Sequence, residues 1–383
     1  YIHWAAEPNI QRKADTLHII KSLRRRADVR HAQPNYIRKA LASPNDPLYP
    51  RQWHYPLINL PQSWDVTTGS NTVIVAVIDT GVLLNHPDLE NRLTSDGYDF
   101  ISDPARARDG DGIDPDPDDP GDANPGGSSF HGTHVSGIIA AETDNDTGVT
   151  GVTWSTRIMP LRALGQGGGT DFDILQAVRY AAGLDNHAGT LQAQKADILN
   201  LSLGGSSFSP AAQDIFTEVS GDGIIIIAAA GNSASNAPIY PAAYEGVVSV
   251  SAVDIEKNLT WYSNFGPTID LAAPGGDNSA DINADGFPDG VLSTCGTDPT
   301  GVIEFVYCFF QGTSMAAPHV AGVVALMKAI NPALTPGELD ILLANGSITE
   351  DIGPVGRDDQ FGHGLIDAFG ALVEAQNLAG GGV

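Results

Sequence analysis

The amino-acid sequence predicts an α/β fold, a three-layer α/β/α sandwich in which helices cover both faces of a mainly parallel sheet. Two observations predict this class. Several apolar runs are continuous, as in strands that are buried on both faces, and longer segments with helical character lie between them. The chain has 383 residues, enough for a large core, and its 43 glycines suit the tight turns of this fold class.

The apolar runs predict five strands: Val73–Asp79, Ile158–Leu164, Asp197–Leu203, Ile224–Ala230 and Val247–Val253. The longer segments predict six helices: His131–Ala141, Phe172–His187, Pro210–Gly221, Ser314–Ile330, Thr335–Ala344 and Asp367–Gln376. Strands and helices alternate along much of the chain, as they do in βαβ units.

Three polar residues stand at the ends of these elements. Asp79 closes the first strand, and open α/β sheets place their sites at the carboxyl ends of parallel strands. His131 begins a helix of small residues, and Ser314 begins the longest apolar helix. A serine nucleophile needs a base, and the base needs an orienting carboxylate, so these residues are candidates for acyl transfer.

Ser314 taken alone allows two interpretations. Free backbone N–H groups at the start of a helix favour negative charge, which suits the oxyanion that forms beside an attacking serine. A serine that only caps the helix, in the turn Gly312-Thr313-Ser314, would look the same. The Asp79 and His131 segments favour the nucleophile.

Four motifs give the chain a family resemblance: Asp79-Thr80-Gly81, His131-Gly132-Thr133-His134, Ala230-Gly231-Asn232 and Gly312–Pro318. With them the chain resembles, over roughly residues 45–378, the subtilisin-like serine proteases (subtilases, peptidase family S8), most closely the thermitase-like branch. The resemblance implies that Ser314 is the nucleophile, His131 the general base and then acid, and Asp79 the orienting carboxylate. It also implies that Asn232 donates to the oxyanion, although an asparagine at a strand end is usually a turn former.

Two further histidines have competing interpretations. His134 follows His131 by three residues, which is compatible with a metal ligand or with a packed helix histidine. The sequence contains no HExxH pattern, so a zinc protease is disfavoured. His319 lies in the helix that begins at Ser314 and is expected to be structural.

The resemblance also implies which segments bind the substrate. Glycine-rich segments would pair with an extended substrate backbone from both sides. The implied residues are Gly167, Gly168, Gly169, Ser202, Leu203, Gly204, Gly205, Ala229, Ala230 and Gly231. A flexible loop is the alternative for the three consecutive glycines. Ile239 stands where relatives place the floor of the main specificity pocket, and its bulk predicts a shallower pocket.

Charge is unevenly distributed along the chain. Residues 1–41 contain nine basic and three acidic residues, a net charge of +6, whereas the remainder carries −32 and the whole chain −26. A basic arm that binds nucleic acid is one interpretation. We favour the other, in which residues 1–41 are the second half of an inhibitory propeptide, a helix at Leu17–Arg24 followed by a strand, docked by opposite charge on its own catalytic domain.

These considerations divide the chain into three parts. Residues 1–41 are expected to be the C-terminal part of an α+β propeptide, 42–378 the catalytic domain and 379–383 the start of a linker. Cleavage is expected near Leu41-Ala42, with Tyr36–Leu41 in the substrate cleft.

Acidic loops predict structural calcium, because Ca²⁺ prefers oxygen ligands. The resemblance implies one site from the side chains of Asp46, Asp88 and Asn145 and the carbonyls of Thr143, Thr147 and Val149. A second loop with D-x-N-x-D-G spacing contains Asp281, Asn283, Asp285 and Asp289. Asp99, Asp103 and the run from Asp109 to Asp122 either bind another ion or form a solvated acidic loop.

Cys295 and Cys308 enclose 12 residues. They would be free thiols in an intracellular enzyme, whereas a disulfide is expected in an exported protease. The sequence is expected to contain no transmembrane run, since Ile224–Ala230 is far too short.

The sequence therefore predicts a secreted, calcium-stabilised serine endopeptidase that acts on polypeptides, processes itself and is a monomer with neither nucleic-acid nor membrane partners. A catalytically silent subtilase-like binding module is the main alternative, and a calcium-stabilised structural domain is a third.

Overall fold

The computed structural model describes residues 19–26, 28–29, 31–33 and 42–380, and the chain divides into two units, residues 1–41 and 42–383. In the first unit residues 19–23 are helical, within the helix predicted at Leu17–Arg24. The predicted cleft strand Tyr36–Leu41 and most of the predicted linker lie outside the described residues.

The second unit is built on a nine-stranded sheet and a separate hairpin. The sheet strands are β1 (Ile74–Asp79), β2 (Tyr98–Asp99), β3 (Arg157–Arg162), β4 (Ile198–Leu201), β5 (Ile225–Ala229), β6 (Val247–Val253), β7 (Leu271–Pro274), β10 (Thr349–Glu350) and β11 (Leu365–Ile366). The hairpin strands are β8 (Val291–Thr297) and β9 (Glu304–Phe310).

Neighbouring strands of the sheet are parallel, with one antiparallel pair at an edge. Their order is β10-β11-β7-β6-β5-β4-β1-β3-β2, and only β10 and β11 run antiparallel. β1 pairs with β3 over its whole length, from Ile74 opposite Arg157 to Asp79 opposite Arg162. Asp79 is therefore the last residue of a fully paired strand. All five predicted strands are present with ends shifted by at most two residues, which confirms the predicted fold class.

Helices cover both faces of the sheet. The described helices are a 3₁₀ turn (Tyr49–Arg51), α1 (His54–Leu57), α2 (Leu60–Ser63), α3 (Pro104–Ala107), α4 (His131–Ala140), α5 (Asp171–Ala181), α6 (Pro210–Gly221), α7 (Thr313–Ile330), α8 (Pro336–Ala344) and α9 (Ala368–Ala379). Alternate residues of a strand face opposite sides. Val75 and Val77 therefore join the core under α4, α7 and α9, whereas Ala76 and Ile78 join the core under α5 and α6.

Helix α7 is apolar enough, and at 18 residues long enough, to cross a membrane by length and composition alone. However, 83% of it is buried inside the protein, where it packs against β4, β5 and β6. It is therefore the central core helix of the sandwich, and it begins beside the carboxyl ends of these strands.

Candidate active site

Asp79 and His131 meet at the end of β1. His131 Nδ1 lies 2.8 Å from Asp79 Oδ1, which also accepts the backbone N–H of Thr80 at 2.8 Å. Asp79 is fully buried, whereas the imidazole keeps 23% of its surface exposed. Burial lowers the pKa of His131, but the charges of Asp79, Asp122 and Asp119 outweigh it and raise the pKa above its ordinary value.

The helix that carries His131 can approach Asp79 because its second residue is glycine. A Cβ at Gly132 would lie 2.1 Å from the carbonyl oxygen of Gly81 and 3.1 Å from Asp79 Cβ. Any larger residue would push α4 away from β1. Glycine at position 132 is therefore required for the contact between the histidine and the aspartate.

Ser314 lies in the first turn of α7 and does not cap it. The N-cap is Gly312, and no side chain caps this helix end. Ser314 Oγ instead donates to the carbonyl of Ser202 at 3.2 Å, and Ser202 Oγ donates to the carbonyl of Ser314 at 2.8 Å. The capping interpretation of Ser314 therefore fails, and its hydroxyl is available at the end of β4.

No hydrogen bond joins Ser314 Oγ to His131, both of which the structure describes. Catalytic hydrogen bonds are often long or poorly aligned in ligand-free enzymes and tighten when the substrate binds. A turn of the serine hydroxyl away from Ser202 would free it for the imidazole.

Two N–H donors converge beside Gly312. Asn232 Oδ1 accepts both the backbone N–H and the hydroxyl of Thr313, at 2.8 and 2.9 Å, which directs Asn232 Nδ2 the other way. A Cβ at Gly312 would lie 3.3 Å from Asn232 Nδ2 and 3.6 Å from Ser314 N. The space that glycine leaves open is therefore bordered by the two donors that an oxyanion would need.

A cavity of about 770 Å³ lies next to His131. Its lining includes Gly167, Gly168 and Gly169 on one side and Ser202, Leu203, Gly204 and Gly205 on another. Gly167 and Gly168 have positive φ, +80° and +96°, in a turn closed by Gly165, so these glycines form a defined turn.

The third predicted wall, Ala229 to Gly231, does not line this cavity. Ala229 and Ala230 are buried, and the side chain of Ile239 lies close to a glycine of each segment. A Cβ at Gly204 would come within 2.5 Å of Ile239 Cγ2, and a Cβ at Gly231 within 3.0 Å of Ile239 Cγ1. Ile239 thus lies against a glycine of each of the two segments.

The first predicted calcium site brings together residues from three parts of the chain. Asp46 accepts the backbone N–H groups of Asp144 and Asn145, and Asn145 Nδ2 donates to Asp88 at 2.9 Å. Asp46 and Asp88 are 2% and 0% exposed, and among the described residues their hydrogen-bond partners include no cationic side chain. Burial raises the pKa of Asp88 to about 7 and raises the pKa of Asp46 as well.

The second predicted calcium loop folds around its own side chains. Asp281 accepts the N–H groups of Asp285 and Gly286, and Asn283 accepts the N–H of Asp285. Asp289 accepts the N–H of Ile282, and its Oδ1 is buried without a partner.

Among the described residues, one group of three carboxylates has oxygens within 4.8 Å of one another: Asp99, Asp109 and Asp114. Buried Arg162 forms ion pairs with Asp99 and Asp109, so a side-chain cation already neutralises part of this group.

A disulfide hairpin supports the histidine helix. Cys295 of β8 is bonded to Cys308 of β9. Ser293 and Thr294 donate to the carbonyls of His134 and Thr133, each at 2.8 Å. The structure therefore agrees with the predicted cysteine pairing. The hydrogen bonds from Ser293 and Thr294 attach the hairpin to α4.

The two additional histidines have structural contacts. His134 Nε2 lies 3.0 Å from the carbonyl of Cys308, and its ring stacks on Phe310. His319 contacts the carbonyl of Met315 and the ring of His54. Burial lowers the pKa of His134 to about 3 and that of His319 to about 4, so both are neutral. The packed interpretation of His134 is therefore the one that the contacts support.

Sequence reasoning missed two residues of this site. Thr80 and the buried Asp119 form a hydrogen bond of 2.7 Å directly behind Asp79. Thr80 belongs to the motif Asp79-Thr80-Gly81, which by itself indicates no role for the threonine, and Asp119 is one of several aspartates in an acidic stretch. No local signal marks Asp119, because its partner lies 39 residues away.

The fold and the positions of these residues are those of a subtilisin-like serine protease. The model of the Subtilase family (Peptidase S8) matches residues 70–364, which include Asp79, His131, Asn232 and Ser314, and the chain belongs to this family.

Individual relatives agree with this assignment. The chain is 37% identical to an "Extracellular protease" of Xanthomonas campestris over 95% of its own length and 63% of the relative's. It is 34% identical to "Thermitase" of Thermoactinomyces vulgaris over 75% of this chain and 86% of that one. A solved structure of a protease from Pseudoalteromonas arctica is 38% identical, with a TM-score of 0.79 over 87% of this chain and all of that one. The predicted family and fold are confirmed.

Proposed function

We propose that the chain is a secreted serine endopeptidase that hydrolyses peptide bonds through Ser314, His131 and Asp79 with an acyl-enzyme intermediate. The observation that carries the proposal is the arrangement around the serine: His131, paired with Asp79, lines the same cavity as Ser202, which accepts from Ser314 Oγ, and two N–H donors lie beside Gly312. The chain spans 63% and 62% of the lengths of two curated relatives, so the activity of the whole protein is part of this proposal.

The proposed acylation follows from the protonation of the imidazole. Because Asp79 accepts at Nδ1, that nitrogen carries the proton and Nε2 keeps a lone pair. His131 Nε2 takes the proton of Ser314 as Oγ attacks the carbonyl carbon. Asn232 Nδ2 and Ser314 N donate to the resulting oxyanion.

The second half of the cycle returns the proton. The imidazolium gives its proton to the leaving amine, the C–N bond breaks, and the acyl group remains on Ser314 as an ester. A water molecule then attacks the ester while His131 takes its proton. Collapse of the second tetrahedral intermediate releases the acid and restores the serine hydroxyl.

Labelling with a serine-directed phosphonate tests the proposal. Wild-type protein should be labelled at Ser314 and should hydrolyse peptides, and a folded Ser314→Ala variant should do neither. A folded wild-type chain that takes no label would favour the catalytically silent binding module instead.

The proposed enzyme is stabilised by calcium. The donor set fits the ion, since two buried carboxylates lie beside an amide side chain and a loop of backbone carbonyls, with no cationic partner in the part of the chain that the structure describes. Asp46, Asp88, Asn145 and the carbonyls of Thr143, Thr147 and Val149 would hold it. Asp281, Asn283, Asp285 and Asp289 would hold a second ion, for which the buried, unpartnered oxygen of Asp289 is the supporting observation. A bound ion would stabilise the folded state by mass action.

The proposed precursor is cut near Leu41-Ala42, and residues 1–41 inhibit the mature enzyme as its own propeptide. The charges of +6 and −32 on the two parts support this, because opposite charges favour association. Mass spectrometry of wild type beside Ser314→Ala tests it. An uncut wild-type chain that is fully active on peptides would contradict it.

Secretion is supported by the name "Extracellular protease" of the Xanthomonas relative. The proposal also includes polypeptide substrates and a monomeric state, with neither nucleic-acid nor membrane partners.

A further inference from the structure

We propose that Asp119 is a positioning residue for the catalytic pair, which acts through Thr80 to hold the turn after Asp79 against the start of the His131 helix. This inference rests on the proposed protease function. It concerns a carboxylate that touches neither the substrate nor the reacting atoms.

The geometry is a short chain of hydrogen bonds. Thr80 Oγ1 donates to Asp119 Oδ2 at 2.7 Å and accepts the backbone N–H of Gly132 at 3.0 Å. Thr80 directly follows Asp79, and Gly132 directly follows His131. One hydroxyl therefore links the turn that carries the catalytic carboxylate to the helix that carries the imidazole.

Asp119 is fixed at its other atoms too. Its Oδ1 accepts the N–H of Gly121 at 2.9 Å, and its backbone N–H donates to the carbonyl of Val82 at 3.2 Å. The residue is 1% exposed, whereas the other aspartates between residues 109 and 122 are exposed or only partly buried. Burial of one aspartate in an otherwise solvated stretch indicates a specific role for it.

The protons along this chain have one consistent assignment. When Asp119 is ionised, the Thr80 hydroxyl donates its single proton to that carboxylate, while its oxygen accepts from Gly132. The other carboxylate oxygen faces the N–H of Gly121. Both oxygens of the ionised carboxylate therefore accept. An asparagine of the same size would direct its NH₂ group either at the N–H of Gly121 or at Thr80 Oγ1, and the second orientation replaces the acceptor of the Thr80 proton with a donor.

Asp119 also contributes charge to the site. The groups that act on His131 are Asp79, Asp122 and Asp119, which raise the pKa of its imidazole, and the neighbouring His134. The pKa of Asp119 itself is raised to about 7, chiefly by burial and further by the charge of Asp122. The hydrogen bonds from Thr80 and Gly121 and the charge of Arg162 act in the opposite direction and lower this pKa. Removal of this carboxylate should thus change both the position and the basicity of the imidazole.

Four variants separate these effects. Asp119→Asn should lower kcat on the pH plateau about 10- to 100-fold, the scale of a small misplacement of reacting groups, with KM nearly unchanged. It should also move the acidic limb of kcat/KM to lower pH, because a negative charge near His131 is lost. Thr80→Val breaks the same link without removing a charge, so kcat should fall while the limb stays in place. Thr80→Ser keeps the hydroxyl and should retain most of kcat.

Asp122→Asn calibrates the charge effect, since Asp122 also raises the pKa of His131 but makes its hydrogen bonds to Ser129. Circular dichroism and phosphonate titration of active sites give the folded, competent fraction of each variant. Wild-type plateau kcat in Asp119→Asn or in Thr80→Val would overturn the inference, as would an equal loss in Thr80→Ser and Thr80→Val. A wild type that takes no phosphonate would instead refute the proposed function, so the two failures are distinguishable.

Discussion

Ile239 should decide which side chain the enzyme accepts next to the scissile carbonyl. The Ser202 to Gly205 segment contacts Ser314, and Asn232 follows the Ala229 to Gly231 segment, so the side chain of the residue that is attacked would enter the gap between them. The contacts of Ile239 Cγ1 and Cγ2 with the two glycine walls close this gap. We therefore expect a preference for small residues, such as alanine, at that substrate position.

Ile239→Ala should open the gap to larger residues. It removes three carbon atoms, and each buried CH₂ of a substrate contributes about 0.8 kcal/mol, so roughly 2.4 kcal/mol becomes available to a large acyl residue. That corresponds to a gain of about 60-fold in the ratio of kcat/KM for a phenylalanine substrate over the matched alanine substrate. Fluorogenic peptides that differ only at this position measure the ratio.

Ile239→Val is the matched control, because valine keeps two γ carbons to contact Gly204 and Gly231. It should change the ratio by only about fourfold, the effect of one methylene at about 0.8 kcal/mol. Ile239 is half-buried, so the alanine variant should remain folded at the assay temperature, as its thermal unfolding will show. A folded Ile239→Ala enzyme with the wild-type ratio would refute the reasoning that this side chain fills the pocket.

Three further outcomes are expected. Asn232→Ala should lower kcat by about 10²–10³, with KM little changed, since its amide would act only on the oxyanion; steady-state kinetics showing a raised KM at constant kcat would contradict this role. Calcium affinity should fall as the pH drops below 7, because the raised pKa of Asp88 means that the metal must displace a proton; titration calorimetry in two buffers should detect proton release in wild type and much less in Asp88→Asn, and pH-independent affinity would argue against this site. Replacement of Cys295 and Cys308 by serine should cost roughly 3 kcal/mol of unfolding free energy, the value for a loop of this length; urea unfolding at the stability of wild type would show that the crosslink contributes little.

The parts of the fold that sequence predicts well are those with local causes. A strand buried on both faces must be apolar throughout, so β1, β5 and β6 are visible as continuous runs. The hairpin β8–β9 was not predicted, because its residues Val291–Thr297 mix serine, threonine and glycine with apolar residues. Ser293 and Thr294 donate hydrogen bonds to the carbonyls of His134 and Thr133 in α4, which lie about 160 residues earlier in the chain. No local sequence pattern reveals contacts over such a separation.

The serine illustrates where sequence alone stops. A serine near the start of a helix is equally suited to capping and to nucleophilic attack, and only position decides between them. In the structure Gly312 occupies the cap position, so Ser314 is two residues inside the helix and caps nothing. Gly312 also leaves free the space that borders Asn232 Nδ2 and Ser314 N, where a Cβ would stand. In the proposed mechanism the glycine, rather than the serine, thus distinguishes a reactive helix start from an ordinary one, because it occupies the N-cap position without a side chain and keeps open the space assigned to the oxyanion.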